Sequence, residues 1–291
     1  RRIKAGAARD HFLGVEAVSG RGEVFKSGGR VVKNVTGYDL CKLLAGSWGT
    51  LGVMTEVTVK VLPAPEKTRT VLISCPETAP AVGAMTRALS SPHDVSAAAW
   101  VPAPAAARSG VSYVAGADTA LVAVRVEGIG SSVDARCDAL RADLSAFGEI
   151  EELHTHNSLA FWSEIRDVRL LGEDTENGDD AIWRISVPPG SAATLIDRLD
   201  AGLELETFFD WGGGLIWARV TGMPDGGSYV IRRAMASCGG HALLVRARRD
   251  QRAVEPVFQP EAAGVERLTR NIKQAFDPEG ILNPGRMYDG I

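Results

Sequence analysis

Between residues 70 and 245 the apolar positions recur in two ways, every second residue in short runs and every three to four residues in longer ones, and the two kinds of run follow a fixed order. The pattern predicts strand 70–75, helix 77–89, strand 95–101, strand 120–127, helix 131–147 and strand 150–154. After a helix near 159–167 the order returns: strand 181–187, helix 190–199, strand 203–209, strand 215–221, helix 228–236 and strand 241–245. That is βαββαβ twice, the split-βαβ arrangement, in an α+β chain. Two such units joined edge to edge give one antiparallel sheet with helices on one face, and the expectation is a second face left free to close over another domain. Residues 97–107 read as a strand end running into a loop, and 172–180 as an acidic flexible loop.

The first 62 residues have a different rhythm. Strands over 13–18 and 23–26 flank a turn at Gly20-Arg21-Gly22, Ser27-Gly28-Gly29 breaks the pattern, and Val31-Val32 resumes it. A short helix is predicted over 38–45, with Asp39 in its first turn and Gly46 ending it. Gly46, Gly49 and Gly52 then recur every third residue, and a strand over 53–62 sets Val53, Thr55, Val57, Val59 and Val61 on one face against Glu56, Thr58 and Lys60 on the other, as in a half-buried strand. Pro63 and Pro65 mark the best domain boundary. The tail is a helix over 264–276, stopped by Asp277-Pro278 and Glu279-Gly280, and an irregular segment at Asn283-Pro284-Gly285-Arg286.

Composition narrows the classes. A chain of 291 residues accommodates two domains with full cores, and 45% hydrophobic with 23% charged residues is ordinary for a globular protein. No run approaches the ~18 apolar residues that a membrane span needs, so no direct membrane insertion is expected. A net charge of −4 with no basic cluster argues against nucleic acid as a partner. Cys41, Cys75, Cys137 and Cys238 are scattered, without a C-x-x-C pair, and fit reduced buried thiols in a cytoplasmic protein. The opening residues carry no basic leader and apolar run of the secretory kind, which agrees with that expectation.

Candidate chemistry concentrates in the glycine-rich turn. Glycines at this spacing allow positive φ and close approach of a ligand, unpaired N–H groups in such a turn form an anion-binding concavity, and Ser47 and Thr50 add hydroxyls. The spacing matches neither the Rossmann nor the P-loop pattern. Taken alone, it serves a plain hairpin turn as well as a phosphate-bearing ligand. His154 and His156 would share a strand face and could begin a metal site, but no third ligand stands nearby and no metal is expected. Ser, His and Asp occur without a G-x-S-x-G elbow, so a hydrolase has no anchor. Trp100, Trp162, Trp183, Trp211 and Trp217 fall in elements where large rings fill cores or interfaces.

Several stretches resemble a known family. Residues 33–40 (K-N-V-T-G-Y-D-L), 42–52 (K-L-L-A-G-S-W-G-T-L-G) and 55–63 (T-E-V-T-V-K-V-L-P) are similar to the second half of the FAD-binding domain of vanillyl-alcohol-oxidase or PCMH-type FAD-linked oxidases. Residues 2–15 (R-I-K-A-G-A-A-R-D-H-F-L-G-V) resemble the family's Arg-x-x-x-Gly-x-x-Arg-Asp-x-x-Leu-Gly segment, and 276–287 (F-D-P-E-G-I-L-N-P-G-R-M) its C-terminal signature. Within the family, 161–167, 183–188 and 210–217 look most like the FAD-binding E subunits of bacterial glycolate oxidases.

The resemblance implies a second half of a PCMH-type FAD-binding domain over 1–64, a ferredoxin-like, duplicated βαββαβ domain over 65–260, and a tail over 261–291 that returns toward the FAD domain. It implies FAD held by the backbone of Gly46, Ser47, Gly49, Thr50, Gly52 and Val53, with Lys33, Asn34, Tyr38 and Asp39 beside the isoalloxazine or the ribityl chain. Asp10 either stands near the cofactor, neutralised by Arg9, or caps a turn. The other reading of 33–39 is a helix start, with Thr36 as N-cap and Asp39 completing a capping box. The first half of the flavin domain would precede Arg1, so FAD is expected to be held only in part by, or to be absent from, this N-terminally incomplete chain. The implied activity is oxidation of glycolate or a related 2-hydroxy acid to the 2-oxo acid, in a complex with a larger flavin subunit and an iron–sulfur subunit that could bring it to a membrane. No acid–base residue stands out, which keeps open a non-catalytic assembly or electron-relay subunit with a flavoprotein fold. A ferredoxin-like binding domain without a cofactor is a third reading.

Overall fold

Three strands, β1 (Phe12–Val18), β2 (Val24–Gly28) and β3 (Val53–Val59), pair antiparallel in the order β2-β1-β3. They belong to the smaller of two units in a computed structural model that describes residues 2–32, 37–172 and 180–291. This unit is assembled from Ala5–Pro63 and Pro256–Ile291, and the other from Ala64–Glu255 with the first residues up to Lys4. The β1–β2 hairpin closes as its glycines require: Gly22 has φ +76, and Ser19 N–H donates to Glu23 O at 3.0 Å. Val15 and Ala17 of β1 are buried with Cys41 and Leu44 of the helix Leu40–Leu44, and Ile272 and Phe276 of the helix Ala263–Phe276 pack against them. Glu16, opposite both Lys26 and Glu56, marks the polar face.

Four expectations fail here. Strand β3 is not half-buried: Val53, Val57 and Val59 are 56%, 52% and 53% exposed. It is an edge strand, and the helix Leu40–Leu44 lies over β1 and β2 instead. The strand also stops at Val59, short of residue 62, and Val31-Val32 form no strand. The helix expected over 38–45 is shorter because Asp39 is its N-cap, with Oδ1 accepting from Lys42 N–H at 3.1 Å. The Asp39 carboxylate therefore does the work assigned to Thr36, which lies outside the described residues.

The larger unit contains β4 (Lys67–Ser74), β5 (Ala97–Val101), β6 (Leu121–Gly128), β7 (Ile150–Leu153), β8 (Ala181–Ser186), β9 (Glu204–Asp210), β10 (Leu215–Thr221) and β11 (His241–Arg246). They form one antiparallel sheet in the order β11-β8-β10-β9-β5-β6-β4-β7. Each half repeats the split-βαβ order, and the halves meet at β5 and β9, where Trp100 and Phe209 stand opposite with ring centroids 5.0 Å apart. Helices Thr78–Leu89, Gly130–Leu144, Ala192–Asp200 and Ser228–Met235 bury the face that carries Val71, Val122, Trp183 and Ile216. The opposite face was expected to stay free. Helix Thr155–Asp167 instead covers part of it, with Phe161, Trp162 and Ile165 packed into a second core with Leu72, Ala99 and Phe208. Helix Ala103–Ala106 stands where a loop was expected and adds Ala105 and Ala106 to that core.

Local chemistry accounts for two further details. His154 is not on a strand face; it is the N-cap of the helix Thr155–Asp167, so it and His156 do not form the pair that alternation implies. Trp100, Trp162 and Trp183 are buried, and each indole N–H has an acceptor: Cys75 O at 3.0 Å, Thr70 Oγ1 at 2.8 Å and Gly226 O at 2.7 Å.

Candidate cofactor site

The glycine-rich stretch is two turns in succession. Gly46 follows the C-cap of the helix Leu40–Leu44 with φ +97, and Ser47 N–H returns to Leu44 O at 3.1 Å. Ser47 to Thr50 then closes a tight turn, with Thr50 N–H donating to Ser47 O at 3.0 Å. Its central residues, Trp48 at φ +56 and Gly49 at φ +74, both have positive φ, as a type I′ turn demands. Gly52 is needed for a different reason, since a Cβ there would sit 3.2 Å from Val18 O of the neighbouring strand. Val53 begins the exposed β3.

Ser47 and Thr50 are 7% and 1% exposed, and the Thr50 hydroxyl donates to Ser47 O at 2.8 Å. The side chains expected to offer hydroxyls are thus turned into the protein. The N–H groups of Trp48, Gly49 and Leu51 donate to no other described residue, and a Cβ at Gly46 would meet open space.

The C-terminal tail fixes this turn. Lys273, 6% exposed, places its ammonium between Thr50 O at 2.9 Å, Leu282 O at 2.8 Å and Asp277 Oδ2 at 2.6 Å. Asp277, 1% exposed, also accepts from the N–H groups of Ile281 at 3.1 Å and Leu282 at 2.8 Å. Burial alone would push its carboxyl up, but the bond from Lys273 and the two amides outweigh that and hold it below the ordinary aspartate value. Asn283 Nδ2 donates to Trp48 O at 2.9 Å, and the Arg286 guanidinium lies 5.6 Å from the Trp48 ring. Local patterning reads these tail residues as turn chemistry and a helix stop, and the family resemblance adds that the tail returns toward the FAD domain, without naming Lys273 or Asn283 as contacts of the turn. The local signal available was Lys273 four residues before Asp277; nothing local pointed to Thr50, 223 residues away.

Asp10, Tyr38 and Asp39 come together elsewhere in the same unit. With Phe12, Ser27 and Lys42 they line a depression of ≈ 230 Å³. Asp10 Oδ2 accepts from Ala7 N–H at 2.7 Å, which fits its expected capping role, and Lys42 Nζ donates to Arg9 O at 2.6 Å and Phe12 O at 3.0 Å. Tyr38 is 92% exposed. Lys33 and Asn34 lie outside the described residues. Asp39 and Gly46 bracket the helix Leu40–Leu44, so the depression and the turn are separate features at its two ends. Two carboxylates repel phosphate and suit sugar hydroxyls; the turn amides with no described acceptor suit phosphate or ring carbonyls.

In the larger unit a cavity of ≈ 640 Å³ is lined by Ser74, Tyr113, Thr119, Glu149 and Glu151. Its two glutamates have the wrong sign for a carboxylate substrate. Cationic side chains instead share the second sheet face near β8: Arg184 is level with Trp217 and Leu243, and Arg219 is level with Ile182 and Arg246. The Arg184 guanidinium lies 5.1 Å from the Trp211 ring, and Arg219 is held by Asp180 and by Leu171 O. The four cysteines are free, and burial pushes the Cys137 thiol up to about 11, which leaves it unreactive.

Comparison with known proteins fixes the relationship. Glycolate oxidase subunit GlcE of Escherichia coli (strain K12) is 34% identical over 289 residues, which is 99% of this chain and 68% of that subunit. The chain belongs to the GlcE family of FAD-linked oxidases. The pattern described as FAD linked oxidases, C-terminal domain, matches residues 261–287, the segment that carries Lys273, Asp277 and Asn283. Glycolate oxidase subunit GlcD of Bacillus subtilis (strain 168) is 46% identical over 72 residues, 25% of this chain and 15% of that one. The fold is also that of 4-ethylphenol oxidase from Gulosibacter chungangensis, with a TM-score of 0.61 at 16% identity over 96% of this chain and 66% of that one. The mixed architecture of helices and antiparallel sheet expected from the sequence is therefore the architecture of this family. For a GlcE-family chain the implied cofactor is FAD, and the polar groups present fit it: turn amides with no described partner suit phosphate or ring carbonyls, and the carboxylates of the separate depression suit hydroxyls.

Proposed function

We propose that this chain supplies part of the FAD site of a multisubunit enzyme that oxidises glycolate or a related 2-hydroxy acid to the 2-oxo acid. The chemistry FAD would supply is that of a two-electron acceptor, for the hydride on the carbon bearing the hydroxyl, with the hydroxyl proton passing to a base or to solvent. The chain's own residues bind and orient it: the backbone from Gly46 to Val53 offers donors, and Asp10 and Asp39 offer acceptors. Kinship with GlcE over 99% of the chain is the observation that carries this reading. The partners that follow from it are a larger flavin subunit of the GlcD kind and an iron–sulfur subunit. The chain works in the cytoplasm and reaches a membrane only through those partners; among the described residues no helix is long and apolar enough to cross one.

The second reading, an electron-relay or assembly subunit, is favoured by one observation. His11, the histidine of the smaller unit, has both ring nitrogens at backbone carbonyls, Nδ1 3.0 Å from Lys60 O and Nε2 2.6 Å from Ala5 O, so it is poorly placed to take a substrate proton. The two readings separate in an anaerobic titration of the full-length protein with glycolate or lactate, followed by visible absorbance, first alone and then with the partner subunits. Bleaching of flavin in the subunit alone establishes it as catalytic. Flavin that stays oxidised until a partner is added makes it a relay, and a preparation without flavin in either state leaves an assembly role.

A further inference from the structure

A trans peptide is planar, with its C=O and N–H pointing in opposite directions. Fixing the carbonyl of one residue therefore fixes the amide of the next. The tail does this twice in the glycine-rich turn: Asn283 Nδ2 takes Trp48 O at 2.9 Å, and Lys273 Nζ takes Thr50 O at 2.9 Å. The amides of Gly49 and Leu51 must then point away from the tail, and they donate to no other described residue. Leu51 is 6% exposed, and a buried N–H without a partner is rare unless something else receives it.

The donors on the tail are themselves held. Lys273 has three acceptors for its three protons, so its direction is set, and Asn283 has backbone φ +44, a conformation that asparagine tolerates better than most residues. Gly49 is matched to this arrangement, since a Cβ there would lie 2.6 Å from Asn283 Nδ2. We propose that Asn283 and Lys273 are positioning residues of the cofactor site, which act through the Trp48–Gly49 and Thr50–Leu51 peptides to present two N–H donors to FAD. The C-terminal signature is then part of the cofactor site, although neither side chain touches the cofactor. This rests on the reading of residues 46–53 as part of the FAD site.

Asn283 is exposed, so its substitution leaves the core intact. Full-length wild type, Asn283→Asp and Asn283→Leu are stripped of flavin, titrated with FAD by fluorescence quenching, and melted as apoproteins. Both substitutions remove the N–H donor, and the FAD dissociation constant is expected to rise about tenfold, the upper end for one lost hydrogen bond, while the apoprotein melting temperature stays at the wild-type value. Affinity within twofold of wild type overturns the proposal. So does weakened binding with a matching fall in apoprotein melting, because a merely structural clasp produces that. A wild type that binds no FAD removes the underlying reading itself, and so is distinct from a wild type and variants that bind equally well.

Discussion

Gly49, Lys273 and Asp277 show how much a single residue decides in the glycine-rich turn. Gly49→Ala places a side chain at φ +74 and a Cβ against the Asn283 amide. Left-handed backbone costs a non-glycine residue about 1–2 kcal/mol, so chemical denaturation should show a loss of that order together with weakened FAD retention. Lys273→Met leaves a buried carboxylate unpaired, a loss of about 3–5 kcal/mol, and Lys273→Met combined with Asp277→Asn should recover part of it in the same denaturation assay. The depressed Asp277 carboxyl carries its own pH signature. Its stabilisation is complete above the unfolded aspartate value, about 4, and is lost as pH falls through the lower folded value. Acid titration should therefore show the smaller unit loosening below about pH 4, and Asp277→Asn should flatten that limb. The glycines were legible in the sequence because turns declare themselves locally. Lys273 and Asn283 were not, because their partners are 223 and 235 residues away and the contact leaves no local pattern.

Among the elements, period-two and near-3.6 patterning located the strands and main helices of the larger unit, because each buries one face against a regular layer. The failures share a cause. Alternation along residues 53–61 signals that β3 can bury a face, but whether it does depends on which neighbour covers it, and the sheet order puts β3 at an edge. In the same way, the helix Thr155–Asp167 could be read from its pattern, while the sheet face it packs on could not. An edge strand with Val53, Val57 and Val59 exposed is a surface for pairing with another chain. The 291-residue chain should self-associate in a concentration-dependent way on size exclusion with light scattering, and Val57→Lys should shift it toward monomer.

At the scale of the whole molecule, the smaller unit is discontinuous in sequence, with Ala5–Pro63 completed by Pro256–Ile291, whereas the larger one is Ala64–Glu255 with only the first residues up to Lys4 added to it. Residues 64–255 expressed alone should therefore melt cooperatively. The chain cut after Glu255 should lose protection from proteolysis across residues 5–63, since Ile272, Phe276 and the Lys273 bond go with the tail. The same discontinuity sets an order of events during synthesis. Thr50 leaves the ribosome 223 residues before Lys273 does, a lag of about 11 to 45 s at bacterial elongation rates of roughly 5–20 residues per second. Throughout that interval the Thr50 carbonyl has been made and the ammonium that holds it has not, so the glycine turn gains its long-range clasp only after residues 273 to 283 have been synthesised.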